Sequence, residues 1–287
     1  MLGALTGACV QEPAPPSQAR PASAPPQRIV SIVPAVTEML FAIGAGPNVI
    51  AVSSFDTSPA EVKALPRVGG LLDPDVERVI RLRPDLVVVY GSTPEVRQKF
   101  ERAGIATFPY VMGGLDNLTA TMRRLGRAVG RAPEAESAAA GLEARFEAIR
   151  ARVAGRKRPR TLLVFGREPG ALRAIDASGG VGFLADIVTL AGGDNVLGGE
   201  KREAVRIDTE TILAAAPEIV IDLHYGRTLS PEQIDRERAA WRTLPALPAV
   251  RDGRVALLVG DEFVVPGPRL ADAAEAIADV LHPVRRQ

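Results

Sequence analysis

The sequence predicts an α/β protein of two Rossmann-like lobes with mostly parallel sheets, joined by one long helix. Short apolar runs such as Leu86-Val87-Val88-Val89-Tyr90 and Ile219-Val220-Ile221-Asp222-Leu223 alternate with helical patterns. Strands apolar on both faces belong to parallel sheet covered on both sides. The alternation occurs twice, on either side of the Ala- and Glu-rich stretch Pro133 to Ala154. There Leu142, Phe146, Ile149 and Val153 follow one another at spacings of four, three and four, one apolar stripe on a helix. At about 1.5 Å per residue this helix runs roughly 30 Å, enough to cross a small domain.

Taken in order, the chain opens with Met1 to Cys9, small residues leading to the only cysteine. This resembles the end of a bacterial lipoprotein signal with Cys9 as the lipidated residue, although a basic n-region is missing and the apolar stretch is short. A start site placed too far downstream accounts for both features; the alternative is an incidental Cys in a tail. Residues 10–27 are mostly Pro, Ala, Ser and Gln, a composition that cannot bury a core and forms an extended tether. One cysteine also excludes a disulfide framework and a multi-Cys metal site.

The N-terminal lobe is expected over residues 28–130. Arg28 to Val33 reads as a buried strand, Thr37 to Ile43 as a helix stopped by Gly44-Ala45-Gly46, and Val49 to Val52 as the next strand. Asp73-Pro74 opens a helix carrying Val76, Val79, Ile80 and Leu82, and Leu86 to Tyr90 is a strand. Pro94 to Ala103 is a helix, Ile105 to Val111 a strand, and Asn117 to Val129 a helix. Residues 131–155 hold the linking helix. The C-terminal lobe, residues 156–287, repeats the pattern: strands Thr161 to Phe165, Ile219 to Leu223 and Val255 to Val259, with helices Phe183 to Leu190, Thr209 to Ala216, Pro231 to Trp241 and Pro268 to Leu281. Ser178 to Gly182 lacks dinucleotide-binding spacing and reads as a loop. One short match links the halves: Asp75, Glu77, Ile80 and Pro84-Asp85-Leu86 align at one offset with Asp208, Glu210, Leu213 and Pro217-Glu218-Ile219.

Lys+Arg and Asp+Glu number 35 and 34, a formal charge of +1, so nothing in the charge balance suggests nucleic acid. No nucleophile elbow, P-loop or His-Glu-x-x-His occurs, and two histidines cannot build a multi-His metal cluster. The expectation is a binding protein with no catalytic residue, metal or cofactor. In parallel α/β sheets ligands sit beyond the carboxyl ends of the strands. Those ends carry Phe55, Tyr90, Arg167-Glu168, His224-Tyr225 and Asp261 with Phe263. The aromatics either line a cleft for a large planar ligand or are ordinary core and loop residues. Arg167 and Glu168 either fix polar groups of a ligand or pair with each other.

From Arg28 onward the chain resembles substrate-binding proteins of bacterial ABC importers, of the helical-backbone class (class III periplasmic binding proteins) that serves vitamin B12, haem and ferric siderophores. The residues carrying the resemblance are Arg28-Ile29-Val30-Ser31-Ile32-Val33-Pro34-Ala35-Val36-Thr37-Glu38, Ala51-Val52-Ser53-Ser54-Phe55, and Glu77-Arg78-Val79-Ile80 through Arg83-Pro84-Asp85-Leu86-Val87. They are most similar to cobalamin-binding members. The resemblance implies a monomeric periplasmic or cell-surface protein that holds a corrinoid between its lobes and hands it to two permease subunits. It assigns Glu77 and Glu210 to docking on permease arginines, although a first helical turn favours an acid in any protein. It departs at Leu71, where a Trp is common, and at Val265, where an Arg is found. A smaller or less polar relative of B12 would suit those changes. His224-Tyr225 keeps haem as an alternative cargo, since both side chains can ligate iron, beside a ferric siderophore; from a different class, the alternative is a two-domain α/β enzyme of cofactor metabolism using the same cleft.

Overall fold

The structure is a computed structural model that describes residues 24–226 and 228–283; Cys9 and the first part of the tether lie outside the described residues. The N-terminal sheet contains β1 (Ile29–Ser31), β2 (Val49–Val52), β3 (Leu86–Tyr90) and β4 (Ala106–Tyr110), all parallel, in the order β2-β1-β3-β4. Around it lie α1 (Pro34–Ala42), α2 (Val76–Arg81), α3 (Pro94–Arg102) and α4 (Leu115–Ala128). α1 begins at Pro34, three residues before the sequence expectation, because proline lacks an N–H and its fixed φ suits a first helical position.

α5 (Ala132–Val153) follows, then the C-terminal sheet in the order β10-β9-β5-β6-β8, with β7 against β5. Its strands are β5 (Arg160–Gly166), β6 (Ile175–Ser178), β7 (Asp194–Asn195), β8 (Ala204–Ile207), β9 (Ile219–His224) and β10 (Val255–Val259). The helices are α6 (Phe183–Leu190), α7 (Thr209–Ala215), α8 (Pro231–Trp241), α9 (Pro248–Arg251) and α10 (Leu270–Leu281). β1 pairs with β2 and β3, and β3 with β4; β5 pairs with β7 and β9, and β9 with β10, all parallel. The four-strand core is thus the same in both lobes, and α2 enters β3 as α7 enters β9.

The antiparallel pair β6 and β8 breaks the repeat and was not expected. β8 alternates exposed Ala204 and Arg206 with buried Val205 and Ile207, the mark of a strand covered on one face only. Both strands are four residues long, too short for that alternation to stand out in sequence.

α5 buries Ala135, Ala139, Leu142, Phe146, Ile149 and Val153. Arg123 of α4 bonds to Glu136 and Glu143, whereas Arg145 and Arg152 bond to Asp272, Glu275 and Asp279 of α10. One end of the helix therefore belongs to each lobe. The lobes are also fused behind the sheets, because one apolar core runs from Val88 through α4, α5 and α6 to Leu163. α4 approaches α5 closely at Gly126, where a Cβ would lie 2.2 Å from that of Ala135 and 2.8 Å from the Arg131 carbonyl oxygen. Gly126→Val should therefore lose about 1–3 kcal/mol of stability, read from urea unfolding, despite valine's better helix propensity. At the other end Gln27 N–H donates to Asp85 (2.9 Å), so the final residue of the expected tether is already bonded to the lobe.

Candidate functional site

The strand exits of the two lobes face each other across an apolar groove. A cavity of about 330 Å³ lies there, walled by Met112 from the N-terminal lobe and by Phe165, Val181, Phe183, Tyr225 and Val264 from the C-terminal lobe. Val181 and Tyr225 on its wall stay exposed, as do Phe55, Leu72 and, next to Met112, Val111. Phe55, Val111 and Tyr225 each come shortly after the end of a parallel strand, the side on which parallel α/β sheets bind ligands.

Local bonding sets the wall. The turn after β2 is pinned from below by buried Asp56, which accepts from Ser53 N–H (2.9 Å) and Ser53 Oγ, while Arg67 Nη1 donates to the carbonyls of Ser53 and Asp56. Phe55 is left projecting at the top. Burial pushes the Asp56 carboxyl above its ordinary range, with the Ser53 and Thr37 hydroxyls pulling it partly back. Tyr90 is half-buried, its ring 6.4 Å from that of Tyr110. On the opposite wall Gly182 opens α6 with φ 85°, a conformation costly to any residue with a Cβ. That turn brings Val181 and Phe183 to the cavity.

Ties across the lobes frame the groove. Asp261 accepts from the Thr57 hydroxyl (2.8 Å) and from Gly226 N–H (2.8 Å), so its carboxylate joins the Phe55 turn to the Tyr225 turn. Asp186 of α6 accepts from Leu115 N–H at 3.0 Å on α4. Arg269 donates to the buried Glu38 (2.6 Å) and also meets Glu262. Burial raises the Glu38 carboxyl above its ordinary value, and Arg269 opposes this only in part. Folded protein therefore holds that proton more tightly than unfolded chain, so Glu38 subtracts stability as pH rises above the unfolded value of 4.5. Urea unfolding across that range should show wild type losing stability relative to Glu38→Gln.

Several expected ligand contacts are engaged elsewhere. The Arg167 side chain is 2% exposed; it donates to Asp222 (2.7 and 3.0 Å) and pairs with Glu237 (2.8 Å), while Trp241 Nε1 donates to the same Asp222 oxygen at 2.8 Å. Burial pushes the Asp222 carboxyl up, but His224, Arg167 and Trp241 together hold it below its usual range. Arg167 thus neutralises internal carboxylates rather than reaching the groove. Glu168 sits exposed in the β5–β6 turn, paired with Arg173. His224 is buried with Nε2 3.5 Å from Asp222, beside a small recess of about 200 Å³ behind the wall. Phe263 is 4% exposed and part of the core. Tyr225 reaches the main cavity; Phe55, Tyr90 and Asp261 stand outside its lining, with Asp261 tying the turn that holds Phe55 to the turn that holds Tyr225.

Sequence reading missed Met112, Val181, Phe183, Val264 and Glu203 as lining residues. Met112 follows the Ile105 to Val111 run and was within reach as a strand exit; Glu203 precedes the unforeseen β8. Glu77 and Glu210 are exposed in the first turns of α2 and α7, behind N-cap aspartates that match as expected: Asp75 accepts from Arg78 N–H (2.9 Å) and Asp208 from Thr211 N–H (2.8 Å). Among the described residues, no helix is long and apolar enough to cross a membrane and no cluster of three or more His, Cys, Asp or Glu is placed to hold a metal.

Comparison with known proteins gives a consistent picture. A family model described as periplasmic binding protein matches residues 29–261. The vitamin B12-binding protein of Yersinia pestis (strain Pestoides F) is 25% identical over 253 residues, 88% of this chain and 85% of that protein. The fold is similar to that of the periplasmic vitamin B12 binding protein BtuF of Vibrio cholerae, with a TM-score of 0.75 and 22% identity over 92% of this chain and 99% of that one. It is equally similar to a periplasmic haem-binding protein of Pseudomonas aeruginosa, with a TM-score of 0.78 and 24% identity over 91% and 94% of the two chains.

Proposed function

The chain belongs to the periplasmic binding protein family, the substrate-binding components of ABC importers, and from that premise we propose that its cargo is a corrinoid held between the lobes. Members of the family are solute-binding proteins, not enzymes. The observation that carries the reading is the largely apolar cavity at the strand exits, closed by Met112 of the N-terminal lobe against Phe165, Val181, Phe183, Tyr225 and Val264 of the C-terminal lobe. Affinity there comes from burying a large ring system between walls that are already formed, with few polar contacts. Vitamin B12-binding relatives support the choice. Haem is the second reading, favoured by the exposed ring of Tyr225 on the cavity wall.

Titration of purified protein with cyanocobalamin, cobinamide and haemin, followed by visible absorbance and calorimetry, tests the proposal. Corrinoid binding supports it. Binding of haemin alone, lost in Tyr225→Phe, overturns it. We further propose that the protein works as a monomer, docking on the permease through Glu77 and Glu210, and that Cys9 carries a lipid anchor. Cys9→Ser should then move the protein from the membrane fraction to the soluble fraction of the expressing cells; unchanged membrane association would remove the anchor.

A further inference from the structure

We propose that Glu203 selects the cargo, its carboxylate accepting hydrogen bonds from primary amides at the edge of the macrocycle and turning away ligands edged with carboxylates. The proposal rests on the corrinoid reading and names the chemistry that the same groove prefers. Among the described residues lining the cavity, Glu203 is the one acidic side chain, and none is Lys, Arg or His. A groove for a ligand with several carboxylates would be expected to offer at least one cation; among the described lining residues this one offers only the acid Glu203.

Glu203 stands immediately before β8, its carbonyl oxygen held by Gly179 N–H at 3.0 Å. Its side chain lies over the start of α6, where a Cβ on Gly182 would come within 3.0 Å of Cγ and 3.3 Å of Oε1. Nearby arginines serve other carboxylates: Arg202 meets Glu200 at 3.4 Å and Arg206 meets Asp176 at 2.6 Å. No ion pair to Glu203 forms among the described residues. Its charge is felt on the facing wall, where Tyr110 is held well above its ordinary range by burial first, then by Tyr90 and Glu203.

An ionised carboxylate accepts and cannot donate, so it complements amide N–H groups and opposes another carboxylate. Hydrogen bonds to a charged acceptor are also stronger than neutral ones. Corrinoids such as cobinamide are edged with amides, cobyrinic acid carries carboxylates in their place, and haemin carries two propionates.

The test measures dissociation constants of cobinamide, cobyrinic acid and haemin for wild type, Glu203→Gln and Glu203→Lys, with melting temperatures to confirm folding. Wild type should bind cobinamide roughly tenfold or more tighter than cobyrinic acid. Glu203→Gln should shrink that ratio to about threefold or less, and Glu203→Lys should invert it. A preference for cobinamide that ignores the residue at 203 overturns this proposal alone. Wild-type protein that binds haemin and no corrinoid overturns both it and the cargo reading.

Discussion

Arg167→Leu is expected to destabilise the protein by about 3–5 kcal/mol, the cost of stripping the cation from a buried ionic cluster. The Arg167 side chain is 2% exposed, and Asp222 and Glu237 beside it are 1% and 4% exposed. Without the guanidinium, two carboxylates share an interior site with no arginine between them: Asp222 keeps the Trp241 indole and the His224 ring, and Glu237 accepts from Gly170 N–H at 3.0 Å. Arg167→Lys should recover only part of the loss, because an ammonium cannot span both carboxylates as the planar fork does. Urea unfolding gives the numbers. A wild-type midpoint with weakened ligand binding would mean instead that Arg167 touches cargo.

The second large effect concerns transport. Glu77→Ala combined with Glu210→Ala should leave ligand affinity within about twofold of wild type while reducing uptake to background, because the acids lie outside the groove and exposed ion pairs act on docking alone. Each acid stands on the first turn of a helix that feeds an equivalent strand, and an exposed apolar residue follows three positions later, Ile80 on α2 and Leu213 on α7. Under the docking proposal, each of the two matching patches would meet one permease subunit. An exposed ion pair is worth up to about 1 kcal/mol, so either single variant should lower uptake only severalfold relative to wild type, and less at high salt, where screening already weakens the pair. Reconstituted permease in proteoliposomes provides the assay. Full uptake by the double variant would remove both residues from docking.

Strands buried on both faces could be read from sequence, since an unbroken apolar run such as Leu86 to Tyr90 is too short for a helix and too apolar for a half-exposed strand. The repeat was legible too, because Asp75 and Asp208 are caps and caps depend on local sequence. β6 and β8 were not, both being only four residues long and β8 covered on one face alone. Site residues followed the same division. Tyr225 and His224 are neighbours, and successive residues of an extended chain point to opposite sides, so one meets the cavity and the other turns inward to Asp222. Arg167 could not be placed from sequence, because its partner Asp222 is 55 residues away in the chain. The lobe ties from Asp261 to Thr57 and from Arg269 to Glu38 are longer in range still.

The central claim is that cargo is captured in the groove between the lobes. Ala204 is exposed at the head of β8 and lines the cavity, so Ala204→Trp places an indole in the space the ligand needs without disturbing the core. Calorimetric titration of that variant with whichever of cyanocobalamin or cobinamide binds wild type more tightly is the direct test. A loss of affinity of roughly a hundredfold or more at an unchanged melting temperature is the predicted result. Wild-type affinity in the Ala204→Trp protein would contradict it.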